Sequence, residues 1–434
     1  MVSFTDKLEN IYPSLLEKDI IPYDAYGRWD SLVAIDSNGH IAGIVQAHDG
    51  DFYPEAPEDY VRAIQKYITN SSVQPYPVRV DIDLTQGCSS DCTFCFSREY
   101  RKYTNYKGAW IKEADLKSIF KQCAEWGTTT IRFCGGGDPL VHPEIKSLLA
   151  LPKKFGLKLT VITNGDLLNK EISELIVSNV DHLRWSVNAG VNETRELIHR
   201  PSKNANRLDQ TKYWIKYIAE ESNLLSAKDR TMIWATYLLM PENVHEIEAA
   251  IILLKESKVN SISFRPVFHG LLRNWTTQEK KDLNAALTFA QNSSLPPTFN
   301  VFTPSRAVKQ VNEFAPSTHF SICRSRFLRT VIEACSEGEL LQSCGIYRGN
   351  YSTGQFMTRG SPDFGNAWQT HTRFPIPLIA PDSCSKCIDI SMNQTLEFIY
   401  SMLNQNPATK FLRANKKQGN IDFKEPRRSR GQVS

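Results

Sequence analysis

Residues 78–95 read VRVDIDLTQGCSSDCTFC: an apolar run of strand length, Val78 to Thr85, is followed at once by Cys88, Cys92 and Cys95. The run opens a longer pattern. From residue 78 to about 292 six such runs recur, each followed by a segment of helical periodicity. The expected strands are Val78 to Thr85, Thr129 to Cys134, Leu157 to Thr163, His182 to Asn188, Met232 to Met240 and Ser261 to Phe268. Between them, Leu116, Ile119, Phe120 and Cys123 form a helical stripe closed by Gly127, and Val244, Ile247, Ile251 and Leu254 form another. Six units with right-handed crossovers predict an α/β fold: a parallel sheet curled into a partial (β/α)6 barrel. Ligands of such sheets bind at the carboxyl ends of the strands, where Cys88, Cys92 and Cys95 fall.

The chain has 434 residues, 41% hydrophobic and 23% charged, which excludes collagen-like and wholly disordered classes. Its longest purely apolar run, Ala249 to Leu254, is far shorter than the ~20 residues of a spanning helix. The start, Met-Val-Ser-Phe-Thr-Asp-Lys, has neither the basic nor the apolar region of a secretory signal, so a cytoplasmic protein without a membrane partner is expected. Net charge is +4, but residues 405–434 hold eight Lys/Arg against Asp422 and Glu425, so the excess sits in a Gly/Asn/Gln/Ser-rich end. That is a solvated, flexible tail rather than a folded basic face, and no nucleic-acid partner is expected.

Flanking units complete four expected regions: 1–77, 78–292, 293–400 and 401–434. In the first, Leu32 to Ile35 and Ile41 to Val45 flank Asn38-Gly39, a hairpin turn signal, and Val61, Ile64 and Ile68 share a helical face opened by Pro57. Beyond Asn292, Pro296, Pro297, Gly338, Gly345, Gly349, Gly354, Gly360 and Gly365 predict a loop-rich region that builds little apolar core. It holds five of the ten cysteines, and a bound metal or cluster would substitute for the missing core.

The cysteines cluster, which in a chain without an export signal points to metal before disulfides. Three thiolates converge after the first strand, and structural zinc wants four protein ligands. The Cys-x3-Cys-x2-Cys spacing, the aromatic Phe94 before the last cysteine, and placement after the first strand resemble the radical S-adenosylmethionine (radical SAM) superfamily. The resemblance implies a 4Fe-4S cluster held by Cys88, Cys92 and Cys95, with one iron left for S-adenosylmethionine. Gly135-Gly136-Gly137-Asp138, after the second strand, is similar to the family's segment for the methionyl amino group, with Asp138 where Glu is usual. Phe94, Ser186, Asn188, Arg200 and Arg265 are the further cofactor contacts the resemblance implies. Each of the polar ones has the alternative of a satisfied interior group.

Cys323, Gly338, Cys344, Cys384 and Cys387 resemble the auxiliary-cluster region of SPASM or twitch radical SAM enzymes, with one residue more than usual between Gly338 and Cys344. No cysteine follows Cys387, which favours the twitch form: one auxiliary 4Fe-4S cluster on Cys323, Cys344, Cys384 and Cys387. Zinc suits four such thiolates equally well. Cys335 is left over as a substitute ligand, a hydrogen-atom donor or a buried thiol; Cys134 is a second donor candidate, and Cys123 belongs to the core.

The chemistry implied is reductive cleavage of S-adenosylmethionine to a 5′-deoxyadenosyl radical that takes a substrate hydrogen, with electrons from an external donor such as flavodoxin or ferredoxin. A ribosomally made precursor peptide is the favoured substrate, for excision, epimerisation or crosslinking. Residues 1–77 would dock its leader or a small leader-binding partner protein, or cap the barrel. The alternatives are a radical SAM dehydrogenase or epimerase of a small aminosugar-like metabolite and, more remotely, a non-enzymatic zinc protein.

Overall fold

A computed structural model describes residues 20–21, 31–35, 41–46, 76–267, 275–295, 298–303, 329–342, 349 and 354–373. Cys323, Cys344, Cys384, Cys387, the helix expected after Pro57 and the basic tail lie outside the described residues.

Strands β1 (Ile20–Ile21), β2 (Ser31–Ile35) and β3 (Ile41–Gln46) form a small antiparallel sheet, with Asn38-Gly39 between its last two strands. Among the described residues the main sheet has ten strands. Its centre is the six expected ones, each within a few residues of its predicted limits: β4 (Arg79–Asp83), β5 (Thr130–Phe133), β6 (Lys158–Thr163), β7 (His182–Ser186), β8 (Met232–Leu239) and β9 (Ser261–Pro266). They lie parallel in chain order, and the sheet does not close.

Side-chain alternation divides the sheet into two faces. On one, Val80, Ile82, Ile131, Phe133, Leu159, Val161, Leu183, Trp185, Ile233 and Ile262 are buried in one continuous core. Each such side chain contributes roughly 1.5–3 kcal/mol by leaving water. The residues between them are polar: Asp81 aligns with Arg132 and Thr160, and Ser186 with Thr236 and Ser263. At the amino-terminal end of this polar face, Asp81 is ion-paired with Arg79 at 2.8 Å and with Arg132, both nearly inaccessible.

Helices cover the apolar face. Leu116, Ile119, Phe120 and Cys123 of α1 (Glu113–Trp126) are buried, and Gly127, in the left-handed region at φ 78°, ends the helix as the stripe predicts. Its N–H and that of Thr128 reach the carbonyls of Ala124 and Cys123 at 3.1 and 3.0 Å. The helices α2 (Lys170–Asn179), α3 (Asn192–His199), α4 (Leu208–Asn223), α5 (Ile247–Glu256) and α6 (Thr277–Asn292) follow the next strands.

Beyond Asn292 the described residues depart from the loop-rich expectation. Strand β10 (Asn300–Phe302) adds a parallel neighbour to β9. The chain then supplies β11 (Arg329–Ala334), which pairs parallel with β4 at its other side, and β12 (Gly338–Gln342) and β13 (Gln355–Thr358) continue antiparallel. Ile332, Leu341, Met357 and, from α7 (Phe364–Arg373), Phe364 and Trp368 join the core of the barrel strands. Polar residues inside these strands hide them from a hydropathy reading. Glu333 is fully buried, its carboxylate accepting from Gln342 Nε2 at 2.7 Å and the Gly349 N–H at 2.8 Å.

Candidate metal and cofactor site

The cysteine loop leaves β4 at the carboxyl end of the parallel strands and is pinned along both sides. On one side the N–H of Ile111 bonds the Leu84 carbonyl and that of Gln86 bonds the Ala109 carbonyl, both at 2.9 Å. On the other, the segment leaving α3 runs against it: Thr93 N–H to Ile198 O at 2.8 Å, Asp91 N–H to Arg200 O at 3.2 Å, and Ser202 N–H to Ser89 O at 2.8 Å.

The glycine segment pairs with the base of the same loop. The N–H groups of Gly137 and Asp138 bond the carbonyls of Thr85 and Gly87 at 2.8 and 2.9 Å. A Cβ on Gly137 would stand 1.5 Å from Gly87 O, so the backbones touch and no side chain fits. Gly136 has φ 72°, and a Cβ there would press on Gln86 Oε1 at 2.6 Å. These glycines are required by the packing of two loops, a demand invisible in the sequence.

Cys88, Cys92 and Cys95 are half-buried, and each sulfur has a polar neighbour. Cys88 takes the Ser90 backbone N–H, Cys92 Sγ lies 3.5 Å from His199 Nδ1, and Cys95 Sγ lies 3.1 Å from Ser97 Oγ. Burial pushes the Cys88 thiol up to about 12, with Asp138 adding to it. Burial also pushes Cys92 well above its ordinary value, reinforced by Cys88 and Cys95. As bare thiolates the three would repel one another, whereas a cationic centre between them reverses that balance. Among the described residues no three His, Cys, Asp or Glu side chains close on a single ion. A cubane makes no such demand, because each of its cysteines holds a different iron. Three cysteine thiols within electrostatic reach of one another are the donor type that an iron-sulfur cluster takes.

Beneath the loop lies a group that the sequence reading missed. Asp166 is fully buried, accepts from Ser89 Oγ at 2.7 Å and Ser90 Oγ at 2.6 Å, and is ion-paired with Arg195 of α3. It holds the two serines between Cys88 and Cys92, a role fixed by residues far away in the chain. His199, also missed, ends α3 with the Phe94 ring edge-on at 5.3 Å. Burial and then the Arg195 guanidinium hold the imidazole down at about 4, so it is neutral.

The other predicted contacts divide. Ser186 and Arg265 share the polar face at the carboxyl ends of β7 and β9, with Arg265 Nε donating to Ser263 Oγ at 3.3 Å. Arg200 is exposed beside the cysteine loop at φ 49°. Asp138 is already engaged: its carboxylate accepts from Leu140 N at 2.9 Å, Asn164 N at 2.8 Å and Thr163 Oγ1 at 2.9 Å, tying the ends of β5 and β6. Despite these bonds, burial pushes it up to about 6. Asn188, buried at φ 47°, bonds the Leu238 N–H through Oδ1 at 2.8 Å and so joins β7 to β8. Cys134 is buried below the glycines and donates to Asp83 Oδ1 at 3.4 Å. Cys335 is buried with Tyr100, Tyr106 and Leu340 in the turn between β11 and β12, and burial pushes its thiol up to about 12. Cys123 lies in the core, as expected.

With this geometry in place, the chain has recognisable relatives. Residues 82–254 match the family described as the Radical SAM superfamily. An S-adenosylmethionine-dependent nucleotide dehydratase of Flammeovirga pacifica is 25% identical over 219 residues, 44% of this chain and 73% of that protein. A GTP 3′,8-cyclase of Chlorobaculum tepidum is 27% identical over 180 residues, 41% of this chain and half of that protein. In fold, Streptococcus suis SuiB bound to its precursor peptide SuiA aligns with a TM-score of 0.50 and 17% identity, over 70% of this chain and 66% of SuiB.

Proposed function

Because the chain carries a radical SAM domain over residues 82–254, we propose that it is an enzyme that modifies a ribosomally made precursor peptide by hydrogen-atom abstraction. The observation that carries the reading is the backbone pairing of Gly137 and Asp138 with Thr85 and Gly87, which fixes the glycine segment against the cysteine loop at the strand ends. Cys88, Cys92 and Cys95 hold a 4Fe-4S cluster. With S-adenosylmethionine bound, such a cluster would supply the one-electron reduction that cleaves the sulfonium to methionine and a 5′-deoxyadenosyl radical.

The protein's own contribution is position and shelter. Gly135, Gly136 and Gly137 let backbone approach the methionyl end, and Asp138 keeps them aligned through Thr163 and Asn164. Arg265 and Ser186 present a cation and a hydroxyl on the polar face, Arg200 lies beside the loop, and Phe94 within it packs on His199. Asn188 holds the ends of β7 and β8 in register. Cys323, Cys344, Cys384 and Cys387 would hold an auxiliary 4Fe-4S cluster. A flavodoxin or ferredoxin supplies the electrons, and residues 1–77 dock the leader. Among the described residues, no helix is long and apolar enough to cross a membrane.

The fold likeness to SuiB with its precursor peptide supports a peptide substrate. A nucleotide substrate is the second reading, favoured by the curated relatives whose names state one. Anaerobic reconstitution separates the possibilities. About eight irons per chain are expected for two cubanes and about four for one, while zinc without sulfide would sink the proposal. Cys88→Ala, Cys92→Ala or Cys95→Ala should abolish 5′-deoxyadenosine formation. Turnover of nucleoside triphosphates, without binding of any co-expressed precursor peptide, would replace the peptide reading with the nucleotide one.

A further inference from the structure

Two side chains outside the cysteine triplet are turned on its sulfurs. His199 is 2% exposed, with Nδ1 3.5 Å from Cys92 Sγ, and Ser97 is 3% exposed, with Oγ 3.1 Å from Cys95 Sγ. Neither position is accidental in the fold. The carbonyl of Ile198, next to His199, takes the N–H of Thr93 from the cysteine loop. Phe94 closes on the imidazole ring from the loop side, and the Asp166–Arg195 pair fixes α3 beneath it.

The direction of these two bonds follows from ligation. A cysteine sulfur bound to iron has lost its proton and can only accept, so ligation favours the Nδ1–H tautomer of His199, in competition with its backbone hydrogen bond to Val187, and makes Ser97 Oγ the donor to Cys95. A donor on a ligating sulfur stabilises the more electron-rich state, because reduction puts part of the added charge on that sulfur. Removing it leaves the reduced cluster less stable and moves its potential to more negative values.

We propose that His199 and Ser97 are positioning residues that raise the reduction potential of the cluster on Cys88, Cys92 and Cys95, His199 through Cys92 and Ser97 through Cys95. The proposal rests on the radical SAM reading of the site. It makes the ease of reducing this cluster a property of α3 and of the residues just after the cysteine loop.

The test is an EPR-monitored redox titration of the reconstituted full-length protein, with the cluster identified by the change in its spectrum on adding S-adenosylmethionine. Iron, sulfide and EPR of the wild type come first: a wild type without a 4Fe-4S cluster refutes the radical SAM reading itself, independently of His199. His199→Phe keeps the packing on Phe94 and deletes the donor; His199→Asn keeps an N–H near the Nδ1 position. The expected result is a more negative midpoint in His199→Phe, a smaller shift in Ser97→Ala, the largest shift in the double variant, and a midpoint close to wild type in His199→Asn. Loss of the cluster from His199→Phe alone, with His199→Asn loaded at the wild-type midpoint, supports the same assignment. An unchanged midpoint in a loaded His199→Phe protein, or failure of both His199 variants to load, overturns it.

Discussion

Two regions of one sheet bury carboxyl groups in opposite ways. At the cysteine loop, Asp138 and Asp166 are surrounded by donors from other elements: backbone N–H groups and Thr163 for Asp138, Ser89, Ser90 and Arg195 for Asp166. On the edge hairpin, Glu339 of β12 is fully buried, yet among the described residues neither carboxylate oxygen has a hydrogen-bond partner in another residue. Its neighbour Asp115 of α1 uses one oxygen on the Gly360 N–H at 2.8 Å, and among the described residues the other has no hydrogen-bond partner. Burial pushes Glu339 up to about 7, with Asp115 adding to it. A buried acid that is met by donors acts as a brace even where burial lifts it, as it lifts Asp138 to about 6; one without such donors, like Glu339, gains no brace in return.

Three experiments bear on that contrast. The largest effect is expected from Gly137→Ala at the braced end, because the new Cβ meets the Gly87 carbonyl, which is backbone and cannot swing aside. A loss on the order of 4 kcal/mol is expected, with reduced iron incorporation, measured by denaturant unfolding and iron assay. Wild-type stability would show that the two loops are not locked together.

Asp166→Ala should follow closely, since it leaves the buried Arg195 guanidinium uncompensated and frees Ser89 and Ser90. About 3 kcal/mol is expected from the same unfolding measurement. A neutral result would mean that Arg195 finds another partner and that the brace is dispensable.

Glu339→Gln at the unbraced end should act in the other direction. A carboxyl group whose folded pKa lies near 7, above the ordinary 4.5, binds its proton more tightly in the folded chain. Its contribution is therefore fully present below 4.5 and is lost as pH rises to about 7. Replacing Glu339 by Gln should remove that slope and raise stability at pH 8 by roughly 1–2 kcal/mol, read from melting temperature against pH. An unaltered pH profile would show that Glu339 ionises freely where it stands.

Much of the braced end is legible in the sequence because its signals are local. The six barrel strands stand out as apolar runs, Gly127 closes a visible helical stripe, and the spacing of Cys88, Cys92 and Cys95 lies within eight residues. What the sequence conceals depends on partners far along the chain. Asp166 and His199 matter only because β6 and α3 arrive beside the cysteine loop, and no nearby residue announces either. Strands β11 and β12 are hidden because Glu333, Glu339 and Gln342 interrupt their hydropathy, although the fold buries all three. Gly137 is visible as a glycine, but its reason, contact with the Gly87 carbonyl, is not.

The parallel pairing of β11 with β4 orders events during synthesis. Gln86, two residues before the first cysteine of the loop, gives its side-chain N–H to the Ala334 carbonyl at 2.9 Å, across 248 positions of chain. Until the ribosome has delivered that far segment, the strand that feeds the cysteine loop has one flank bare, and such distant closures are slow to form. The cysteine loop is thus among the earliest stretches of the barrel to be made and among the last to be walled in.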